Sequence, residues 1–247
     1  MDNFVELHGK TLWYNQNELQ GSKLVPTNFA EIYYNSESEI SEDDVLYLEC
    51  AREIWFNDNF NKSINDLPDN MINIELSKKF NQTINKIPKQ LKYLKMETFN
   101  NNIIKNKEII KNSKLNTLEI NTFEICSNNN NIYKINFENV FPNTIQKLII
   151  NNSNHKKIIF TNFINNIKEL KLSVNVNLET MKYIFHSQNL PTKLEKLQIK
   201  FSILRNNIDY LPSSLNLLIC NTYKNPTNLP LYLKTLELSI YNTNTMN

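Results

Sequence analysis

Glycine is almost absent from this sequence and occurs only at Gly9 and Gly21 among 247 residues. A loop that wraps phosphate groups needs several glycines at fixed spacing, because a Cβ atom would keep the backbone away from the phosphates. Two isolated glycines therefore exclude a P-loop and a dinucleotide-binding fingerprint. Nothing in the sequence supports a nucleotide-dependent enzyme.

Cysteine and histidine are also scarce, with three residues of each. Cys50, Cys126 and Cys220 form no C-x-x-C pair, and an odd number cannot all pair internally. This usage is typical of a reducing compartment. The histidines are widely separated and have no i, i+4 partner of the kind that zinc sites use: His8, His155 and His186. We predict no metal, no cofactor and no catalytic residues.

Long apolar runs and an excess of one charge sign are missing as well. An apolar run of about 18 residues, the length that a membrane helix needs, does not occur, and Met1–Glu6 lacks a basic-then-apolar leader. The balance of 27 basic against 25 acidic residues leaves a net charge of +2, too small a field to steer nucleic acid. We predict an intracellular monomer, cytoplasmic or nuclear, that binds neither nucleic acid nor membrane.

Proline is present in a regular pattern. The stretch Ile87–Met96 defines a ten-residue frame with proline at position 2 and apolar residues at positions 1, 5, 8 and 10. Seven of the eight prolines occupy position 2 of such a frame: Pro26, Pro68, Pro88, Pro142, Pro191, Pro212 and Pro230. Because proline fixes φ, each copy is predicted to begin with a turn.

Positions 8 and 10 are apolar throughout the chain. Position 8 holds Ile32, Ile54, Ile74, Leu94, Leu118, Leu148, Leu170, Leu197, Leu218 and Leu236. Position 10 holds Tyr34, Phe56, Leu76, Met96, Ile120, Ile150, Leu172, Ile199, Cys220 and Leu238. Alternate apolar residues predict a strand with one buried face, and a repeated L-x-x-L-x-L core is the leucine-rich-repeat signature. We predict an α/β leucine-rich-repeat solenoid with a parallel sheet on its concave face, and short loops, 3₁₀ turns and a few helices on its convex face.

The frame also predicts how the chain is divided. Residues 25–240 form about ten repeats in one cooperative array, and 241–247 form a tail. Residues 1–24 form either a further repeat, with Thr11–Tyr14 as a strand, or a cap built on the degenerate frame, and the cap is the favoured alternative. The acidic segment 35–47 is predicted to be a solvated loop. Helices are predicted over Ile103–Ile110 and Leu178–Phe185.

Asparagine is abundant throughout the repeats. Nucleotide bias in an AT-rich genome would produce the same abundance. An asparagine ladder inside the turns is the alternative, because leucine-rich repeats use one. Asn61 and Asn81 are the best candidates for it.

Two segments carry a more specific motif. Phe60–Pro68 and Phe80–Pro88 both follow F-N-x-x-I-x-x-L-P and resemble the opening of FNIP repeats, leucine-rich-repeat relatives from amoebae and their giant viruses. The resemblance implies a protein-interaction module. Because some FNIP-repeat proteins resemble F-box receptors, it also implies, as an alternative, a substrate adaptor of a ubiquitin ligase.

The candidate site lies on the solvent side of the sheet, where positions 7, 9 and 11 alternate with the buried residues. Position 9 places Trp13, Tyr33 and Trp55 on consecutive strands. The acidic residues that accompany them are Glu31, Glu53 and Glu75, and the amide margin is Asn15, Asn35 and Asn57. Aromatic residues with a polar margin are typical of binding hot spots, so the predicted function is a non-catalytic scaffold for a protein partner. In the alternative, residues 1–24 or 35–47 cover the rings.

Overall fold

A computed structural model describes residues 11–14, 31–124, 132–151, 157–173, 189–200, 211–220 and 229–238. The chain divides into two compact units, Met1–Glu124 and Ile125–Asn247. Each unit contains a parallel sheet built from short strands at positions 7 to 10 of the frame. The single cooperative array over residues 25–240 remains a prediction.

The described residues of the first unit form six parallel strands and three short helices. The strands are β1 (Thr11–Tyr14), β2 (Glu31–Tyr34), β3 (Glu53–Phe56), β4 (Asn73–Leu76), β5 (Tyr93–Asn100) and β6 (Thr117–Glu124). The helices are α1 (Glu42–Leu48), α2 (Asn101–Lys105) and α3 (Lys107–Lys111). Strands that follow one another along the chain are neighbours in the sheet. Each connection therefore returns the chain to the start of the next parallel strand, as in a solenoid.

The second unit has the same arrangement with a small addition. Its elements are β7 (Ile132–Asn136), α4 (Phe137–Val140), β8 (Lys147–Ile150), β9 (Lys157–Thr161), β10 (Glu169–Ser173), β11 (Lys196–Lys200), β12 (Leu217–Cys220) and β13 (Thr235–Leu238). Strands β8, β10, β11, β12 and β13 lie side by side in that order, all parallel. The parallel pair β7–β9 forms a second sheet.

The register confirms the predicted apolar columns within each unit. Leu94 lies opposite Leu118 in the first unit, and Leu148 lies opposite Leu170 in the second. All four leucines have no exposed surface. The column ends at β13, where Leu238 keeps 46% of its surface exposed. In the described residues β13 pairs only with β12, so no strand covers its far side.

The predicted proline turn is confirmed in six repeats. The carbonyl oxygen of the proline at position 2 accepts a hydrogen bond from the backbone N–H at position 5, for example Leu91 N to Pro88 O at 3.1 Å. The position 5 residues Met71, Leu91, Ile145, Leu194 and Leu215 are buried. The turn thus directs its fourth residue into the core immediately before the strand begins.

The asparagine ladder is also confirmed. The side-chain oxygen of Asn61 accepts a hydrogen bond from the backbone N–H of Asn81 at 2.8 Å, and the Asn81 oxygen accepts one from the Asn102 amide at 2.9 Å. A second ladder runs from Asn65 to Asn85, with 3.0 Å between the Asn65 oxygen and the Asn85 backbone nitrogen. Asparagines one repeat apart therefore connect successive turns.

The prediction of a solvated loop over residues 35–47 is wrong for its second half. Helix α1 begins there, and the Ser41 hydroxyl accepts a hydrogen bond from the Asp44 backbone N–H at 3.2 Å. The Asp44 carboxylate accepts one in return from the Ser41 N–H at 2.6 Å. This reciprocal pair is a capping box, which starts a helix, and the acidic residues of the first turn favour the helix N-terminus. Asp44 is buried and also accepts a hydrogen bond from the Tyr34 hydroxyl at 3.2 Å.

The expectation that position 11 faces solvent is wrong for Asn57. Its side chain is buried, and its oxygen accepts a hydrogen bond from the Asn59 backbone N–H at 2.8 Å. Ser77, the equivalent residue one repeat later, is also buried and donates to the Phe60 carbonyl. The chain leaves the sheet at this position, so a polar side chain is needed to satisfy the backbone of the turn.

The other predictions have mixed outcomes. The predicted helical stretch Ile103–Ile110 lies in two short helices, α2 and α3, which are separated by a turn at Asn106. Strand β1 occupies Thr11–Tyr14 in the predicted register. Cys50 and Cys220 are not in disulfides. The remaining predictions fall outside the described residues: the cap over the rest of residues 1–24, Cys126, the three histidines, the helix Leu178–Phe185 and the tail 241–247.

Candidate interaction surface

The solvent side of the first sheet is formed by positions 7 and 9 of the frame. In β2, β3 and β4 these residues are half-buried and alternate with fully buried residues at positions 8 and 10. Strands β5 and β6 begin with the same alternation. We call the side chains at these positions, together with Glu97, the acidic face.

The structure aligns the three predicted aromatic residues across adjacent strands. Trp13 lies opposite Tyr33, and Tyr33 lies opposite Trp55 in the strand register. Tyr33 and Trp55 are half-buried, while the side chain of Trp13 lies outside the described side chains. Because adjacent strands are about 4.8 Å apart, the column places Tyr33 and Trp55 close together, and each residue keeps part of its surface accessible.

The predicted acidic residues lie beside this column. Glu31 is opposite Glu53, and Glu75 is opposite Trp55 in the register. Burial and, secondarily, the negative charge of Asp58 raise the pKa of Tyr33. The structure thus brings the aromatic and acidic residues of the candidate site onto four consecutive strands, β1 to β4.

A charged cluster extends the acidic face onto β5 and β6. The Lys95 ammonium lies 3.0 Å from the Glu75 carboxylate and 3.3 Å from the Glu97 carboxylate. The Tyr93 hydroxyl donates a hydrogen bond to Glu119 at 3.2 Å. Burial raises the pKa of Tyr93, and the charges of Glu119, Glu75 and Glu97 raise it further. Burial alone would lower the pKa of Lys95, but its two carboxylate partners outweigh that effect and raise it.

Sequence reasoning missed this cluster, although the signal was present. Tyr93 occupies position 7, Lys95 and Glu119 occupy position 9, and Glu97 occupies position 11 of the same frame. Taken together, the acidic face on β2 to β6 carries five carboxylates and one ammonium, a net charge of −4: Glu31, Glu53, Glu75, Glu97 and Glu119 against Lys95. The chain as a whole has a net charge of +2, so the face differs strongly from the average.

Within the described ranges, no group of three or more histidine, cysteine, aspartate or glutamate side chains is arranged to hold a metal ion. None of the helices in the described part of the chain is both long enough and apolar enough to span a membrane.

Comparison with known proteins supports the repeat architecture. The chain is similar to a solved structure described as "The crystal structure of CroV588 a novel circular LRR protein structure", with a TM-score of 0.50 and 19% sequence identity. The chain has a leucine-rich-repeat-like fold. The match covers 85% of this chain and 36% of that chain, so this chain spans about a third of that protein's length. No protein-family model matches the sequence, and no curated protein matches it.

At 19% identity the likeness extends to the fold alone. Leucine-rich-repeat-like proteins are commonly protein-interaction scaffolds and are typically not enzymes, because stacked repeats present an extended surface rather than a closed pocket. The fold is therefore consistent with the predicted scaffold function, but it does not identify a partner.

Proposed function

We propose that this chain is a non-catalytic protein-binding scaffold of the FNIP-repeat type and that it binds its partner through the acidic face. The observation that carries the proposal is the alignment of Trp13, Tyr33 and Trp55 opposite one another on adjacent strands. Partly accessible aromatic rings provide a large contact area at a small cost in conformational entropy. Such residues are enriched at the energetic centre of interfaces.

The partner is a basic segment in an extended conformation. Glu31, Glu53 and Glu75 surround the aromatic column with negative charge, which attracts lysine and arginine side chains and repels phosphate. An arginine guanidinium can also stack on the face of Trp55 or Tyr33 in a cation–π contact. We place the sheet on the concave side of the solenoid, as the repeat frame predicts, where successive strands would present the same positions along the path of one peptide.

The two tryptophans make this proposal directly measurable. Trp13 and Trp55 are the two tryptophans of the chain, and both belong to the proposed contact column. Their fluorescence therefore reports occupancy of the acidic face. We expect a synthetic peptide of alternating arginine and serine to change the emission saturably, and a peptide of alternating glutamate and serine to leave it unchanged.

The decisive variant is Trp55→Ala. Because Trp55 is half-buried on the solvent side of β3, its removal should weaken arginine-peptide binding by about 2 kcal/mol, or roughly 30-fold, with little change in melting temperature. Isothermal titration calorimetry measures this affinity without depending on the tryptophan signal. Tyr232→Ala is the matched control, since Tyr232 is an exposed aromatic residue in the other unit.

Two outcomes would contradict the proposal. If Trp55→Ala lowers the melting temperature strongly and leaves peptide affinity unchanged, the column belongs to the core and is not a contact surface. Equal weakening by Trp55→Ala and Tyr232→Ala would show that the peptide binds without a defined site. The ubiquitin-ligase adaptor remains an expectation from the family resemblance, and no contact in the described residues favours it.

A further inference from the structure

The solvent side of three strands of the second sheet, β8, β10 and β11, has the opposite charge. On strands β8, β10 and β11, positions 7, 9 and 11 hold four lysines and one glutamate: Lys147, Lys171, Lys196, Lys200 and Glu169. Their net charge is +3. We call this set, with the apolar residues beside it, the basic face.

Most of this positive charge is not neutralised by ion pairs. Lys147 pairs with Glu169 at 2.9 Å, which uses the one carboxylate of the set. In the part of the chain that the structure describes, no carboxylate lies within ion-pair distance of Lys171, Lys196 or Lys200. Lys196 and Lys200 are exposed, and Lys171 is half-buried. Three ammonium groups on two adjacent strands thus remain available to an external anion.

Aliphatic side chains flank these lysines on both sides. Position 9 forms one row across four adjacent strands, in the order Ile149, Lys171, Gln198 and Ile219. Leu217 lies opposite Lys196 in the same way. All three aliphatic residues are half-buried on the solvent side of their strands, although their frame positions elsewhere hold polar or aromatic residues. The surface therefore combines positive charge with apolar contact area.

We propose that the basic face is a second interaction surface and that it binds an acidic segment of a protein in which carboxylates alternate with aliphatic side chains. In an extended segment, residues two apart face the same side, so carboxylates and aliphatic side chains that alternate along that one side lie together on the basic face. The carboxylates can then reach Lys171, Lys196 and Lys200, and the aliphatic side chains can contact Ile149, Leu217 and Ile219. Charge complementarity supplies orientation and association rate, and the apolar contacts supply the remaining affinity.

Nucleic acid fits the basic face less well. Surfaces that bind single strands combine a basic groove with aromatic rings on which bases stack, and arginine adds further stacking. Among the described residues at positions 7 and 9 of β8 and β10 to β13 there is neither an aromatic side chain nor an arginine. The Glu169 carboxylate would also lie among the phosphates. An acidic protein segment requires none of the missing groups.

The test uses fluorescence anisotropy with the full chain and three labelled probes. The first probe is a peptide in which glutamate and valine alternate at every second residue, with serine between them. The second has serine in place of each glutamate, and the third is single-stranded oligouridylate. We expect the glutamate–valine peptide to bind with an affinity that falls as salt rises, and the other two to bind at least about tenfold more weakly.

The location of the site is tested by charge reversal. The triple variant Lys171→Glu, Lys196→Glu, Lys200→Glu should weaken glutamate–valine binding by about tenfold or more, since it replaces attraction by repulsion. The matched control is Lys62→Glu, Lys78→Glu, Lys79→Glu, which makes the same change in net charge at exposed turn residues of the first unit. The control should bind the peptide within about twofold of the parent chain.

Three results would overturn the proposal. Equal loss in both triple variants would mean that the peptide senses only net charge. Unchanged binding in the face variant, with its circular dichroism spectrum intact, would place the peptide elsewhere. Tighter binding of oligouridylate than of peptide, lost in the face variant, would make the face a nucleic-acid surface. The acidic face is monitored separately through Trp13 and Trp55, so either proposal can fail without the other.

Discussion

Replacement of Leu148 by alanine tests the stacked core most directly. Leu148 occupies position 8 of β8, has no exposed surface and lies opposite Leu170 of the next strand in the sheet. The substitution removes three buried carbons and leaves a cavity that a stack of fixed strands cannot easily close. We expect a loss of about 2–5 kcal/mol in the free energy of unfolding. Domain stabilities are about 5–15 kcal/mol, so the variant should remain folded but measurably weaker.

The matched control is the next residue in the same strand. Ile149 occupies position 9, on the solvent side, and is half-buried. Ile149→Ala removes a similar volume without creating an enclosed cavity, so its cost should be about 1 kcal/mol or less. Urea unfolding followed by far-ultraviolet circular dichroism gives both free energies. A cost for Ile149→Ala equal to that for Leu148→Ala would refute the assignment of buried and solvent-facing positions.

The same experiment tests cooperativity along the chain. Both tryptophans lie in the first unit and Leu148 lies in the second, so tryptophan fluorescence monitors the unit that does not carry the substitution. If the repeats form one cooperative array, Leu148→Ala should shift the fluorescence and circular dichroism transitions together. A fluorescence transition that stays in place while the circular dichroism transition moves would show that the two units unfold independently.

Three further predictions concern single groups. Burial, followed by the negative charge of Asp44, raises the pKa of Tyr34 above its ordinary value of 10.0. The protonated Tyr34 hydroxyl therefore stabilises the folded chain fully below pH 10.0, and this contribution is lost as pH rises through the folded-state pKa. Urea midpoints should fall above pH 10.0, and they should fall less steeply for Tyr34→Phe. Asn61→Ala removes the acceptor for the Asn81 N–H and should lower the free energy of unfolding by about 0.5–1.5 kcal/mol. Asn165 is an exposed residue with no side-chain hydrogen bond, so Asn165→Ala should leave the stability unchanged. Equal losses in the two variants would argue against the ladder. The unfolded chain should titrate with three free thiols, and the native chain should react slowly at the buried Cys220. Elemental analysis should find no stoichiometric zinc, and one zinc per chain would contradict this prediction.

The buried half of the fold could be predicted from the sequence because it obeys a short-range rule. Position 8 must be apolar in every repeat for the strands to stack, so Leu94, Leu118, Leu148 and Leu170 identify their own register. The turn is equally local, since proline at position 2 and an apolar residue at position 5 lie only three residues apart. Neither feature depends on which repeat is adjacent.

Features that depend on competition between local signals were harder to predict. The five acidic residues of segment 35–47 indicated a solvated loop, but the capping box between Ser41 and Asp44 and the apolar residues Ile40 and Leu48 favour a packed helix. For Asn57, the predicted alternation of buried and solvent-facing residues was extended one residue beyond the end of the strand. The strand ends at Phe56, so the following side chain satisfies the turn and does not reach solvent.

The candidate surfaces depend on cross-strand neighbours, which a position-by-position reading does not provide. Lys95 and Glu75 are 20 residues apart in sequence but adjacent in the sheet, and Lys171 and Lys196 lie on neighbouring strands in the same way.

The buried columns tolerate almost no variation, whereas positions 7 and 9 can change without disturbing the core. One repeat frame can therefore carry an acidic, aromatic face in one unit and a basic, aliphatic face in the other. A net charge of +2 conceals both faces because they nearly cancel. In the proposed scaffold the solvent-facing columns select the partner, so their charge must be summed strand by strand before a class of partner is excluded.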